Sequence, residues 1–134
     1  MLLVGRDPRN LPRIALPDAV LATEYAPYSE LFSRAAAIVH QGGSGTTAQA
    51  LAAGKPMIVV PWSHDQPDNA RRVVGLGVAR TIARHKYRVD RVEADLDALL
   101  SDSGYREKAS RVSVELARED GVAGACDSLE AALG

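Results

Sequence analysis

The 134-residue sequence predicts an α/β fold: a three-layer α/β/α sandwich on a parallel sheet of about five strands. Three observations carry this. Short apolar runs alternate with helical patterns along the chain, the order produced by a parallel sheet with crossover helices. The run Met57 to Val60, MIVV, is unbroken, as expected of a strand covered by helices on both faces. With 46% hydrophobic residues, a chain of this length can remove roughly two-thirds of its unfolded surface from water, so 1–134 is read as one domain with its own core.

The elements follow in order. A first strand is expected at about 1–5, and the segment Arg6 to Pro17, with three prolines, is a loop. A second strand at 19–24 leads to a helix at 28–34. The apolar run Ala35 to Val39 is short enough for a buried strand at 36–39, and Thr46 to Ala53 reads as a helix over about 45–53 that Gly54 ends. The MIVV strand, 56–60, closes at Pro61 and a helix follows at 67–75. After a strand at 78–82, the helix at 89–101 places Val89, Val92, Leu96, Leu99 and Leu100 on one face, to pack against the body. Helices at 103–119 and 122–132 complete the chain, with no repeat or low-complexity tract.

Composition excludes several functions. Net charge is −1 and the arginines are scattered, so the basic footprint of a nucleic-acid binder is missing. Arg71-Arg72, the only adjacent basic pair, belongs on an exposed helix face. A single cysteine cannot build a disulfide framework. There is no apolar run of about 18 residues for a membrane span, and Met1 to Val4 is too short and uncharged for a secretory signal. A soluble, cytoplasmic protein is the expectation. His64, His85 and Cys126 read as surface residues.

The most informative stretch is His40 to Ala70, HQGGSGTTAQALAAGKPMIVVPWSHDQPDNA. A strand, a Gly-rich turn and a helix N-terminus make an anion site: glycines admit close approach of backbone N–H groups to a phosphate, and the first helical turn offers unpaired donors at the positive end of the dipole. The same turn could serve only to fit a tight corner. A Walker phosphate loop is excluded, because Lys55 follows Gly54 but is itself followed by Pro56. Gly43-Ser44-Gly45-Thr46-Thr47-Ala48 is a weak match to the dinucleotide fingerprint, and lacks its usual place in the first βα unit. In parallel sheets ligands bind beyond the C-terminal strand ends, and His40 and the Trp62 to Gln66 segment lie at two such ends. Asp65 could cap the helix beginning near Pro67, a role compatible with binding. Trp62 is either a core plug or a wall of a pocket.

These residues resemble the donor-binding signature of GT-B glycosyltransferases of the UDP-glycosyltransferase type (family 1), including bacterial enzymes that decorate macrolides, glycopeptides and sterol-like acceptors. H-x-G-G-x-G-T-T, A-x-x-x-G-x-P-M-I-x-x-P, D-Q-x-x-N-A and G-x-G-V-A stand in order from His40 through Ala79. Upstream, Tyr25-Ala26-Pro27-Tyr28 falls where the family carries a W-A-P-Q-like segment beside the nucleobase. The resemblance covers roughly residues 1 to 120. It implies a Rossmann-like domain, the C-terminal half of a GT-B fold, with His40, Gly43, Ser44, Gly45 and Thr46 on the donor diphosphate. It further implies Asp65 and Gln66, with Trp62, on the transferred sugar, and Tyr25 and Ala26 at the base. The ribose clamp departs: many relatives have Glu eight residues after the motif histidine, where this chain has Ala48, with Gln49 beside it as the base/ribose candidate.

What the resemblance implies for chemistry is inverting transfer of a sugar from a UDP- or TDP-sugar to a hydroxyl of a small lipophilic or natural-product acceptor. The catalytic base is expected on an N-terminal acceptor domain outside this chain, and no catalytic residue within it. The absence of a D-x-D motif sets the expectation of no metal, and no cofactor beyond the donor is implied. The family's C-terminal half normally begins with a further strand, Gly-Ser turn and helix. The chain is therefore expected to be incomplete at its N-terminus and inactive alone, a fragment or one subunit of a split enzyme with an acceptor-domain protein partner. A non-catalytic nucleotide-sugar-binding module is the alternative of another class. A sugar-nucleotide epimerase shares the two-domain architecture but has a different signature after the Pro turn.

Overall fold

The computed structural model describes residues 1–134. Five parallel strands and six α-helices alternate as expected: β1 (Leu2–Leu3), β2 (Ala22–Thr23), α1 (Tyr28–Arg34), β3 (Ile38–His40), α2 (Ser44–Ala52), β4 (Met57–Val59), α3 (Gln66–Gly75), β5 (Ala79–Thr81), α4 (Val89–Ser101), α5 (Ser103–Leu116) and α6 (Gly121–Leu133). The strands pair as two separate ladders rather than as one five-stranded sheet. β1 pairs with β2, and β4 lies between β3 and β5. Periodicity places strands along the chain but does not encode which edges meet, so the division was not legible in it. Within the Arg6 to Pro17 loop, Pro8–Asn10 forms a single 3-10 turn, its N–H of Arg9 capped by the Asp7 carboxylate.

β4 explains the layering. Met57, Ile58 and Val59 are fully buried, and successive side chains of a strand point to opposite faces. Met57 and Val59 join Phe32, Ile38, Ala50, Ala70, Val73 and Ala109, contributed by β3, α1, α2, α3 and α5. Ile58 and Val60 join Ile82 and Leu99, with Val92 and Leu96 of α4 packed against them. One strand thus carries two cores, which is why its sequence is apolar at every position.

The face expected of α4 is only partly used. Leu99 is buried and Val92 and Leu96 are half-buried, but Val89 and Leu100 stay exposed at 82% and 48%. Val89 is the first residue of the helix, and Leu100, one position on from the buried Leu99, is turned about 100° away from it around the helix axis. Together with Tyr87, Val92 and Leu96 they border a shallow concavity of about 670 Å³.

A second network ties α4 to β5. The buried Asp95 carboxylate accepts from Arg80 Nε at 2.6 Å and from Arg91 Nε at 2.7 Å, while Arg80 also donates to the Tyr105 hydroxyl on α5. The Asp95 carboxylate, and secondarily Tyr105, hold the Arg80 guanidinium above its already high ordinary pKa. Arg71 and Arg72 are exposed and both pair with Asp68. His64, His85 and Cys126 are exposed as well.

Candidate functional site

The strip from His40 to Asn69 is assembled at the C-terminal ends of β3 and β4. β3 ends at His40, in register with Val59, and the chain then reverses through Gly42 and Gly43 into α2. Gly42 has φ +89°, and a Cβ there would lie 2.7 Å from Val59 Cγ1. Only glycine fits, so the turn is dictated by packing against β4 as well as by any ligand.

α2 begins without a side-chain cap and without an acidic residue in its first turn. The amides of Ser44, Gly45 and Thr46 donate to no acceptor in the chain, while Thr47 bonds back to the Gly43 carbonyl through both its N–H and its hydroxyl. A Cβ at Gly45 would meet nothing within 4 Å. The first turn is thus an open, positively polarised helix end. Gly54, at φ +65°, closes the helix at its other end, as expected.

His40 is engaged on both ring nitrogens. Nδ1 accepts from the Gly42 N–H at 3.0 Å, which places the ring proton on Nε2, 3.3 Å from Met57 Sδ. Burial lowers its pKa to about 4, so the imidazole is neutral near pH 7. It can supply an N–H to an anion but not a positive charge, and it does so only by exchanging the weak thioether acceptor for a stronger one.

After β4, the segment Trp62 to Gln66 turns into α3. Trp62 is 60% exposed and lies under the Arg84 guanidinium, 3.5 Å from ring centroid to Cζ, so it is not a core plug. Gln66 Oε1 accepts from the backbone N–H of Trp62 and Ser63, leaving its amide hydrogens as the outward donors. Asp65 occupies the N-cap position of α3 without capping it: its backbone is already helical and its carboxylate instead accepts from Asn69 Nδ2 at 2.7 Å. The same Asn69 amide donates to the Gly42 carbonyl at 2.9 Å.

A separate cleft of about 520 Å³ brings together Tyr25, Ala26 and Gln49, the three residues assigned above to base and ribose, along with Leu3, Gly5 and Glu24. Ala48 lies exposed beside it and lines none of it. Glu24, Asn69 and Arg84 were missed by sequence reasoning. Asn69 stood within the D-Q-x-x-N-A motif, and Glu24 and Arg84 stood at or just beyond the ends of the strands expected at 19–24 and 78–82, so polarity at those places was the available signal. No three His, Cys, Asp or Glu side chains gather into a metal-ligand cluster. No helix is long and apolar enough to cross a membrane.

A parallel α/β domain with an open glycine turn and a polar strip at its C-terminal strand ends is the architecture of the C-terminal half of GT-B glycosyltransferases, the class shared by its structural neighbours. Residues 3–131 match the erythromycin biosynthesis protein CIII-like C-terminal domain, and the chain belongs to that family of glycosyltransferases. It is 37% identical over 131 residues to the O-mycaminosyltylonolide 6-deoxyallosyltransferase of Streptomyces fradiae, covering 97% of this chain and 30% of that protein. It is similar to the crystal structure of the kitacinnamycin glycotransferase, with TM-score 0.86 and 35% identity over 96% of this chain and 34% of the other. It is also similar to the glycosyltransferase VinC in complex with DTDP, with TM-score 0.74 and 31% identity over 78% of this chain and 26% of the other. The chain spans 26% to 34% of the length of these relatives.

Proposed function

We propose that this chain is the donor-binding domain of an inverting glycosyltransferase that moves a sugar from a TDP- or UDP-sugar to a hydroxyl of a natural-product acceptor. The observation that carries the proposal is the open first turn of α2, whose Ser44, Gly45 and Thr46 amides have no acceptor in the chain, while Asn69 of α3 bonds to the Gly42 carbonyl in the turn that precedes them. In this reading those amides, with Gly43, hold the diphosphate, and His40 adds its Nε2 proton. Asp65 and the free amide hydrogens of Gln66 take hydroxyls of the sugar, against the wall formed by Trp62. The cleft of Tyr25, Ala26 and Gln49 takes the base and ribose, and Glu24 offers the carboxylate that position 48 lacks. The complex of VinC with DTDP supports thymidine over uridine. A cytoplasmic location fits the single unpaired cysteine.

The acceptor and the base that deprotonates its hydroxyl come, in this reading, from protein outside these 134 residues, either an acceptor domain or a separate subunit. This chain's part in the reaction is to serve the leaving group. As the anomeric C–O bond breaks, negative charge grows on the diphosphate and the α2 dipole and amides stabilise it. Because His40 is neutral, that stabilisation is dipolar; a well-placed donor of this kind is worth about 2.7 to 4 kcal/mol in oxyanion sites.

The test is calorimetric titration of the 134-residue chain with TDP and UDP, alongside Gly45→Asp. A side chain fits at Gly45, and an acid in the first turn favours the helix, so this variant keeps or slightly gains stability while its carboxylate repels the diphosphate. Binding of TDP by the wild type and at least tenfold weaker binding by the variant are expected. No heat from either nucleotide, or equal affinity in both proteins, sinks the assignment of the turn.

A further inference from the structure

We infer that Asn69 is a positioning residue that locks the sugar-side carboxylate to the diphosphate turn; the inference rests on the donor-site reading above. Its Nδ2 carries two hydrogens and has two acceptors, the Gly42 carbonyl at 2.9 Å and Asp65 Oδ2 at 2.7 Å. Both hydrogens are used. Gly42 in turn gives its N–H to His40 Nδ1. A continuous chain of hydrogen bonds therefore runs from His40 at the end of β3, through the buried Gly42 and the half-buried Asn69, to Asp65 at the start of α3.

The alternative for Asp65 is freedom. It is exposed, it caps no helix, and Asn69 is its only side-chain partner. An unrestrained carboxylate at that position would sample several rotamers, and ordering it on binding costs free energy that a fixed carboxylate has already met. Gly42, by contrast, is buried, with its N–H and carbonyl both hydrogen-bonded and no room beside Val59 even for a Cβ. Asn69 therefore transfers the rigidity of the buried turn to an exposed carboxylate. The amide suits this task because it is uncharged and donates twice; aspartate at 69 would face Asp65 with no donor at all.

The experiment is calorimetry of the 134-residue chain with TDP and with TDP-glucose as probes. In Asn69→Ala, the advantage of TDP-glucose over TDP is expected to fall about tenfold, while TDP alone weakens at most about threefold. In an Asp65→Ala background the same substitution at 69 should cost TDP-glucose nothing beyond its effect on TDP, since a positioning residue acts only through the group it positions. Equal losses for both ligands, or an undiminished loss in the Asp65→Ala background, would overturn the inference while leaving the donor site intact. Wild-type protein that binds neither ligand overturns the donor site itself. Should Asn69→Ala not fold, the unsubstituted chain answers: in ¹⁵N-resolved spectra the Asn69 side-chain amide protons should shift on addition of TDP-glucose and remain two distinct, slowly exchanging signals. Unmoved or averaged signals refute the coupling.

Discussion

In the proposed donor site, His40 would act while uncharged. Its Nδ1 is spent on Gly42 and burial holds its pKa at about 4, against about 6.5 in an unfolded chain. Between these values the unfolded chain binds a proton that the folded chain refuses. The stability associated with the neutral ring is therefore complete above pH about 6.5 and is lost as pH falls toward 4, by at most about 3 kcal/mol. Urea unfolding at pH 7.5 and 4.5 should show the wild type losing about 2 kcal/mol more than His40→Gln, with the contributions of the carboxylates cancelling between the two proteins. Equal losses would mean that the ring is protonated in the fold, and the dipolar account of the diphosphate site would then need a charge.

At the scale of elements, the clearest device is the carboxylate that joins α4 to β5. Asp95 is 2% exposed, whereas the side chains of Arg80 and Arg91 are 34% and 48% exposed. The three are not equivalent. Removing Asp95 leaves two arginines that can reach water, yet it also empties a packed position and unties both elements, and a loss of about 2 to 4 kcal/mol is expected. Removing Arg91 leaves Asp95 still paired with Arg80 and should cost about 1 kcal/mol or less, as for a half-exposed pair one helical turn apart. Arg80→Ala should fall between, since it loses Tyr105 as well. Denaturant midpoints for Asp95→Ala, Arg80→Ala and Arg91→Ala give the order directly; Arg91→Ala as the most damaging of the three would reverse this account. The network also marks where sequence reasoning stops. The spacing of Val92, Leu96 and Leu99 announced α4 and its inward face, but an aspartate on that face reads as a misplaced charge until β5 brings Arg80 beside it. Likewise the glycines, Gly54 and Pro61 announced the turn, the helix end and the strand end of the site, because each acts on its own stretch of backbone. Asn69 stood in the D-Q-x-x-N-A motif, but its bond to the Gly42 carbonyl, 27 residues away, and the cleft that Glu24 lines with Tyr25 and Gln49 are made only by the fold.

For the whole molecule, the decisive contrast is between β4, which carries both cores, and α6, which carries none. α6 has no buried residue, and Val122, Leu129 and Leu133 are 77%, 63% and 87% exposed. With Cys126 they recur at helical spacing along one side, so the helix expected over 122–132 is present and carries an apolar stripe that no other element of the chain covers. Periodicity reports a face and is silent about the partner of that face. Stability of this chain should accordingly depend on these two elements very differently. Met57→Ala, at the fully buried centre, should cost about 2 to 5 kcal/mol, whereas Leu129→Asp should change stability by no more than about 0.5 kcal/mol. Among the helices and strands, amide exchange should be fastest in α6, whose local opening breaks no core contact, and slowest in β4. A loss above about 1 kcal/mol for Leu129→Asp would show that α6 is held by the body of the domain, and the division of the molecule into a β4-centred core and an uncommitted C-terminal helix would have to be abandoned.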